Sequence, residues 1–251
     1  MRLIQGSGQL FGYRIAYAGM TDTGRVRRGN EDHLLILGDA GVFAVADGLG
    51  GLEAGDIASK TALAHLQDLY TIPSGPGIPP LEEIIATVNT RTYQHKIALA
   101  RNMATTLAMV QLRGETIAIA HVGDSRVYHW RNHVLSRETS DHSLVNDLIN
   151  NGALSAEQAV HSLQHHVITR AIGAEATVTA SILYRPVVAG DMLLLCTDGL
   201  TSMLPDARIA ELIETRADQV GETVEDLVQA ANKAGGRDNI TVILVAIKGL
   251  P

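Results

Sequence analysis

The chain has 251 residues, 46% of them hydrophobic, and a formal charge of -7 at pH 7. That is apolar material for a large layered core, and its 20 lysines and arginines do not form the clusters a nucleic-acid backbone requires. The lone cysteine, Cys196, excludes an internal disulfide framework and lies in an apolar run, where a buried small hydrophobe is expected rather than a nucleophile.

The N-terminal stretch Met1 to Gln9 has glycine and serine where a signal peptide carries an apolar segment. No stretch approaches the ~18 apolar residues of a membrane span. The expectation is a cytoplasmic protein, monomeric, without membrane or nucleic-acid partners, forming a single domain over 1–251.

Strands are expected at Arg14 to Met20, His33 to Leu37 and Val42 to Ala46, the last running into Asp47-Gly48. Helical periodicity follows from Ala54 to Tyr70 and, past a Pro/Gly-rich stretch at Ile72 to Pro80, resumes from Leu81 to Arg101. Strands return at Thr105 to Leu112, Thr116 to Val122, Arg126 to Trp130 and Val134-Leu135, joined by hairpin turns. Ser143 to Ile172 is polar and rich in histidine, a pattern of short helices. Met192 to Thr197 and Ile240 to Ile247 read as strands flanking helices near Pro205 to Thr215 and Glu222 to Ala234. This order fits an α+β layered fold with antiparallel sheets rather than a wound parallel sheet.

Asp47, Asp124, Asp198 and Asp238 all stand at expected strand ends, Asp47 and Asp198 each followed by glycine. Most Asp-Gly pairs are only turns. If these ends converge, however, the carboxylates raise one another's pKa unless cations neutralise them, and hard oxygen ligands select magnesium or manganese. Two such ions can activate one water and clamp a phosphoryl group. Arg27 precedes Asn30-Glu31-Asp32. Its planar fork suits a phosphate dianion, though a surface ion pair with a carboxylate is an equal reading of the local sequence.

Seven motifs in order, Arg27-x-x-Asn30-Glu31-Asp32, Val45 to Gly51, Met103-Ala104-Thr105-Thr106, Val122 to Arg126, Ser140-Asp141-His142, Cys196 to Leu200 and Gly236 to Thr241, resemble the bacterial PP2C-type (PPM) phosphatases. The resemblance spans residues 22–247. It implies a four-layer αββα sandwich, two antiparallel sheets flanked by antiparallel helix pairs. It also implies a metal-dependent enzyme that hydrolyses phosphoserine and phosphothreonine by direct attack of a metal-bridging hydroxide.

Carried over by motif, Asp47 bridges two Mn2+ or Mg2+ ions, and Asp198 and Asp238 hold the first. The carbonyl of Gly48 and Glu31 hold the second, and Asp124 with Asp198 forms a third, weaker site. Arg27 binds the phosphate, and 143–172 is a flap beside the site. Phosphorylated proteins and a cognate serine/threonine kinase are the implied partners. Two departures stand out: Leu52 where the family usually has histidine, leaving water to protonate the leaving alkoxide, and Ala104 where it has glycine. His142 is expected to be structural, and His161, His165 and His166 to face solvent. Two rivals remain, a catalytically silent phosphoprotein- or kinase-binding module on the same fold and another type of two-metal hydrolase.

Overall fold

The computed structural model describes residues 2–71, 78–154, 158 and 167–249. Two six-stranded sheets form its centre. The first runs β1 (Ile4–Leu10), β2 (Tyr13–Asp22), β12 (Ile240–Gly249), β11 (Met192–Cys196), β8 (Arg126–Arg131), β9 (Val134–Arg137). In the second the order is β10 (Ser181–Pro186), β7 (Thr116–Val122), β6 (Leu107–Arg113), β4 (Val42–Leu49), β3 (Asp32–Leu37), with the short β5 (Ala104–Thr105) paired to the end of β4. Every pairing is antiparallel.

Strand alternation explains why these segments read as unbroken apolar runs. On β4, Phe43 and Val45 point between the sheets, whereas Val42, Ala44 and Ala46 point to helices α1 (Leu52–Thr71) and α2 (Leu81–Leu99). On β12, Ile243, Val245 and Ile247 enter the inter-sheet core, and Val242, Leu244 and Ala246 pack with Ile209, Val224 and Leu227 of the opposite helices. A strand covered on both faces has no polar side to show. Fully burying a residue such as Phe43 contributes about 1.5–3 kcal/mol, and three such cores stack through the molecule. The result is the expected four-layer αββα sandwich.

Three shorter helices complete the second half: α3 (Leu144–Asn150), the single turn α4 (Asp198–Thr201), and α5 (Asp206–Thr215), which precedes α6 (Val220–Lys233). Helix α3 is capped by Ser143, whose hydroxyl accepts the Asn146 N–H. It is the short helix expected at the start of 143–172. His161, His165 and His166, and most of the Pro/Gly-rich stretch, lie outside the described residues.

Two strands went unread in the sequence. The segment Ile4–Leu10 is glycine- and polar-rich, yet pairs along its whole length with β2 as an edge strand; Ser181–Pro186 is the edge of the other sheet. Edge strands are half solvated, so they carry a weak apolar signal. The expected single strand Thr105 to Leu112 is split at Thr106, whose N–H donates to the Asp47 carbonyl on β4 while its hydroxyl accepts the Asp47 N–H.

Candidate active site

Asp47 is not past the end of its strand, as its sequence suggested. Strand β4 continues through Asp47 and Gly48 to Leu49, paired by Gly48 and Leu49 to β5. Alternation from Phe43 and Val45 then places Asp47 on the inter-sheet face, at the open end of the seam. Across β3, Asp32 is its register partner. From the other sheet, Asp198 follows β11 and opens α4, and Asp238 immediately precedes Asn239 and β12. Asp124 lies past the end of β7. The ends therefore meet: Arg27, Glu31, Asp47, Gly48, Asp124, Asp198 and Asp238 line one cavity of about 260 Å³, with Ile168 and Asn239.

The backbone around them is fixed by hydrogen bonds. Asp47 N–H donates to Thr106 Oγ1 (2.9 Å), and Thr105 Oγ1 donates to the Asp47 carbonyl (2.8 Å). Thr106 in turn shares a 2.7 Å hydroxyl bond with Ser125, beside Asp124. Gly48 N–H donates to the Glu31 carbonyl, and a Cβ at Gly48 would collide with the Gly55 carbonyl, so only glycine fits that crossing. Asn239 Oδ1 accepts the Glu31 N–H (2.8 Å), while its amide donates to the carbonyls of Thr23 and Gly29. One asparagine thus locks the Arg27–Glu31 loop to the start of β12.

Asp32 emerges from the structure with a role its sequence did not disclose. Its Oδ2 accepts hydroxyl bonds from Thr197 and Thr241, each 2.8 Å, both on the opposite sheet, while its Oδ1 is buried with no hydrogen-bond partner among the described residues. The signal available was the pair of threonines, one before Asp198 and one three residues after Asp238. His142 makes the hydrogen bonds expected of it. Its Nδ1 accepts the Gly123 N–H (3.1 Å), its own N–H donates to the Gly123 carbonyl, and its ring stacks on His121 at 4.5 Å. Cys196 is fully buried.

Electrostatics mark the cavity as short of positive charge. Burial, reinforced by Asp32, Asp198, Asp124 and Asp238, lifts Asp47 well above the usual carboxylate range. Burial and Asp198 push Asp124 up to about 7. Asp32 also rises to about 7, burial outweighing its two hydroxyl donors. Glu31 is raised by burial against the pull of Arg27. The half-exposed Arg27 donates to Asp238 Oδ2 at 2.7 Å, so the ion pair of the sequence reading stands, on the wall of the cavity.

Among the described residues no three His, Cys, Asp or Glu side chains are already drawn up as a metal cage. The donor chemistry nevertheless fits divalent cations. All the side-chain donors are hard oxygens, and Asp124 presents a buried Oδ1 with no hydrogen-bond partner among the described residues. Carboxylates driven toward protonation by one another lose that penalty when a cation shares them.

Converging carboxylates from two sheets, beside an arginine that can grip a phosphoryl group, assign the molecule to the metal-dependent phosphatases. The family follows from comparison: the family model described as Protein phosphatase 2C matches residues 26–244, and the chain belongs to that family. The serine/threonine phosphatase stp of Listeria monocytogenes is 36% identical over 235 residues, covering 90% of this chain and 93% of that protein. Among solved structures, the serine/threonine phosphatase Stp1 of Staphylococcus aureus superposes with a TM-score of 0.86 at 30% identity, over 98% of this chain and 100% of that one. The catalytic domain of the serine/threonine protein phosphatase PstP, in complex with two manganese ions, gives 0.81 at 31% identity over 93% and 98%.

Proposed function

We propose that this cavity hydrolyses phosphoserine and phosphothreonine on protein substrates, with two Mn2+ or Mg2+ ions held by Asp47, the Gly48 carbonyl, Glu31, Asp198 and Asp238, and a third, weaker one by Asp124 and Asp198. The observation that carries the reading is the gathering of these groups, from both sheets, around one cavity in which Asp47 and Asp124 are raised toward neutrality. Bound there, the ions would supply a nucleophile from water near neutral pH and offset the charge on the phosphoryl oxygens.

The chain's own residues do the rest. Thr106 and Thr105 hold the Asp47 backbone from both sides, so that its carboxylate is aimed before substrate arrives. Arg27 moves from Asp238 to the phosphoryl oxygens, a bidentate grip that a cation on Asp238 makes easier. Leu52 leaves no histidine at its position to protonate the leaving alkoxide, so that proton comes from water. Of the segment 143–172 that we read as setting substrate preference, the described part brings Ile168 to the cavity wall. We place the protein in the cytoplasm as a monomeric, single-domain signalling enzyme working against a serine/threonine kinase. No helix among the described residues is long and apolar enough to cross a membrane.

The test is hydrolysis of p-nitrophenyl phosphate and of a phosphothreonine peptide by the purified protein with manganese, with magnesium and with chelator. Chelator-sensitive turnover of both substrates is expected. No turnover under any condition would overturn the reading and leave a phosphoprotein-binding module.

A further inference from the structure

Folding collects positive charge that the dispersed sequence reading did not find, on one side of the cavity mouth. Residues 23–31 and 233–239 are joined there: Arg25 N–H donates to the Gly236 carbonyl at 2.7 Å, and the Asn239 amide bonds Thr23 and Gly29. Gly235 and Gly236 have positive φ (136° and 52°), and arginine side chains straddle this turn. Arg25 Cγ stands 2.8 Å from where a Cβ on Gly236 would sit, and Arg237 Nε 4.0 Å from where one on Gly235 would. Arg28 follows Arg27 directly, and all three of these arginines are exposed.

Arginines elsewhere on the surface hold carboxylates, as Arg101, Arg185 and Arg216 do. Among the described residues Arg25, Arg28 and Arg237 have no ion pair and no side-chain hydrogen bond, although the chain carries 27 acidic residues. The carboxylates of the cavity lie beside these arginines but none pairs with one of them among the described residues, so the three stay open to an anionic ligand from outside.

We propose that Arg25, Arg28 and Arg237 form an anion subsite that reads a second negative group, phosphate or carboxylate, on the same substrate chain. The inference rests on the phosphatase reading above. Arg28 and Arg237 are chain neighbours of Arg27 and Asp238, which touch at 2.7 Å. An extended peptide advances ~3.4 Å per residue, so the second group lies about one to three residues from the hydrolysed one. The subsite acts on substrate capture, through KM, and weakens with salt as exposed pairs do.

Its test compares three phosphothreonine peptides: neutral flanks, aspartate flanks, and a non-hydrolysable phosphonate residue two positions away. At low salt the anionic peptides should gain about fivefold in kcat/KM through KM, the scale of exposed ion pairs. The variant R25A/R28A/R237A should lose that gain while p-nitrophenyl phosphate turnover stays unchanged. A larger gain for the phosphonate identifies a phosphorylated neighbour as the ligand; equal gains identify any anionic side chain.

Should the triple variant prove unstable, the exposed single change Arg28→Glu, which lowers the subsite from three positive charges to a net one, is expected to weaken the preference. Equal kcat/KM for all peptides in the wild type, or a preference the variants retain undiminished, would overturn the subsite. Peptide affinity by fluorescence anisotropy reads it independently of turnover, so loss of all turnover would count against the phosphatase reading alone.

Discussion

Strand β11 runs from Asp191 at one pole to the acidic cavity beyond its far end, and carboxylates at these two poles have opposite fates. Asp191, just before it, is 1% exposed, yet Arg131 grips it with two 2.6 Å bonds, and His129 and the Val188 N–H add to the grip. Burial pushes its carboxyl up, but these partners win and hold it down to about 2. Beyond the other end lies the cavity, where Asp47 and Asp124 are driven up by burial and by other carboxylates. The same residue type in the same core is stabilised at one pole and destabilised at the other. Buried charge left without its counter-ion is costly, so the second pole is the one kept for function.

Substitution at the two poles should therefore separate activity from stability. Asp47→Asn is expected to lower kcat about a thousandfold or more, roughly 4 kcal/mol of barrier, without lowering the melting temperature of the chelated protein. An early-melting Asp47→Asn would break the contrast. Asp191→Ala should do the reverse, costing about 3 kcal/mol by stranding Arg131 and His129, which is about 6–12 °C of melting temperature. Its kcat per folded molecule should match the wild type.

The pH dependence should divide the same way. Asp32, Asp47 and Asp124 have folded pKa values above their unfolded ones, so the native state holds more protons from about pH 4 to about 7, and stability falls as pH rises through that window. Asp191, with a depressed value, contributes stability that is lost as pH falls from about 4 toward about 2. Melting of the chelated protein should therefore peak on the acid side of neutrality and fall toward about pH 8, at about 1.4 kcal/mol per pH unit for each proton that the native state alone still holds. Asp124→Asn should flatten the alkaline slope; an unchanged slope would sink that assignment. The smallest effect is expected from Thr106→Val, which removes the bond to Asp47 N–H and costs about 1 kcal/mol, with kcat down roughly tenfold if positioning matters.

Much of this was legible in the chain because function and folding use the same landmarks. Asp198 and Asp238 border strands and Asp47 follows the apolar run of its own, so a reader who finds the strands finds the aspartates. Convergence was not legible, since it depends on which faces of two sheets meet. Asp32 escaped assignment because its meaning lies in Thr197 and Thr241, more than 160 residues away in sequence. Strand β1 escaped because an edge strand of glycine, serine and glutamine gains its identity from its partner.

Asp32 has one more consequence. Because a single carboxylate of one sheet is hydroxyl-bonded to threonines that stand next to Asp198 and near Asp238 on the other, the sheets cannot slide against each other without misaligning the aspartates that line the cavity. Heat inactivation should accordingly leave no long-lived population that is folded but dead: residual activity and residual tertiary structure should decay along one curve.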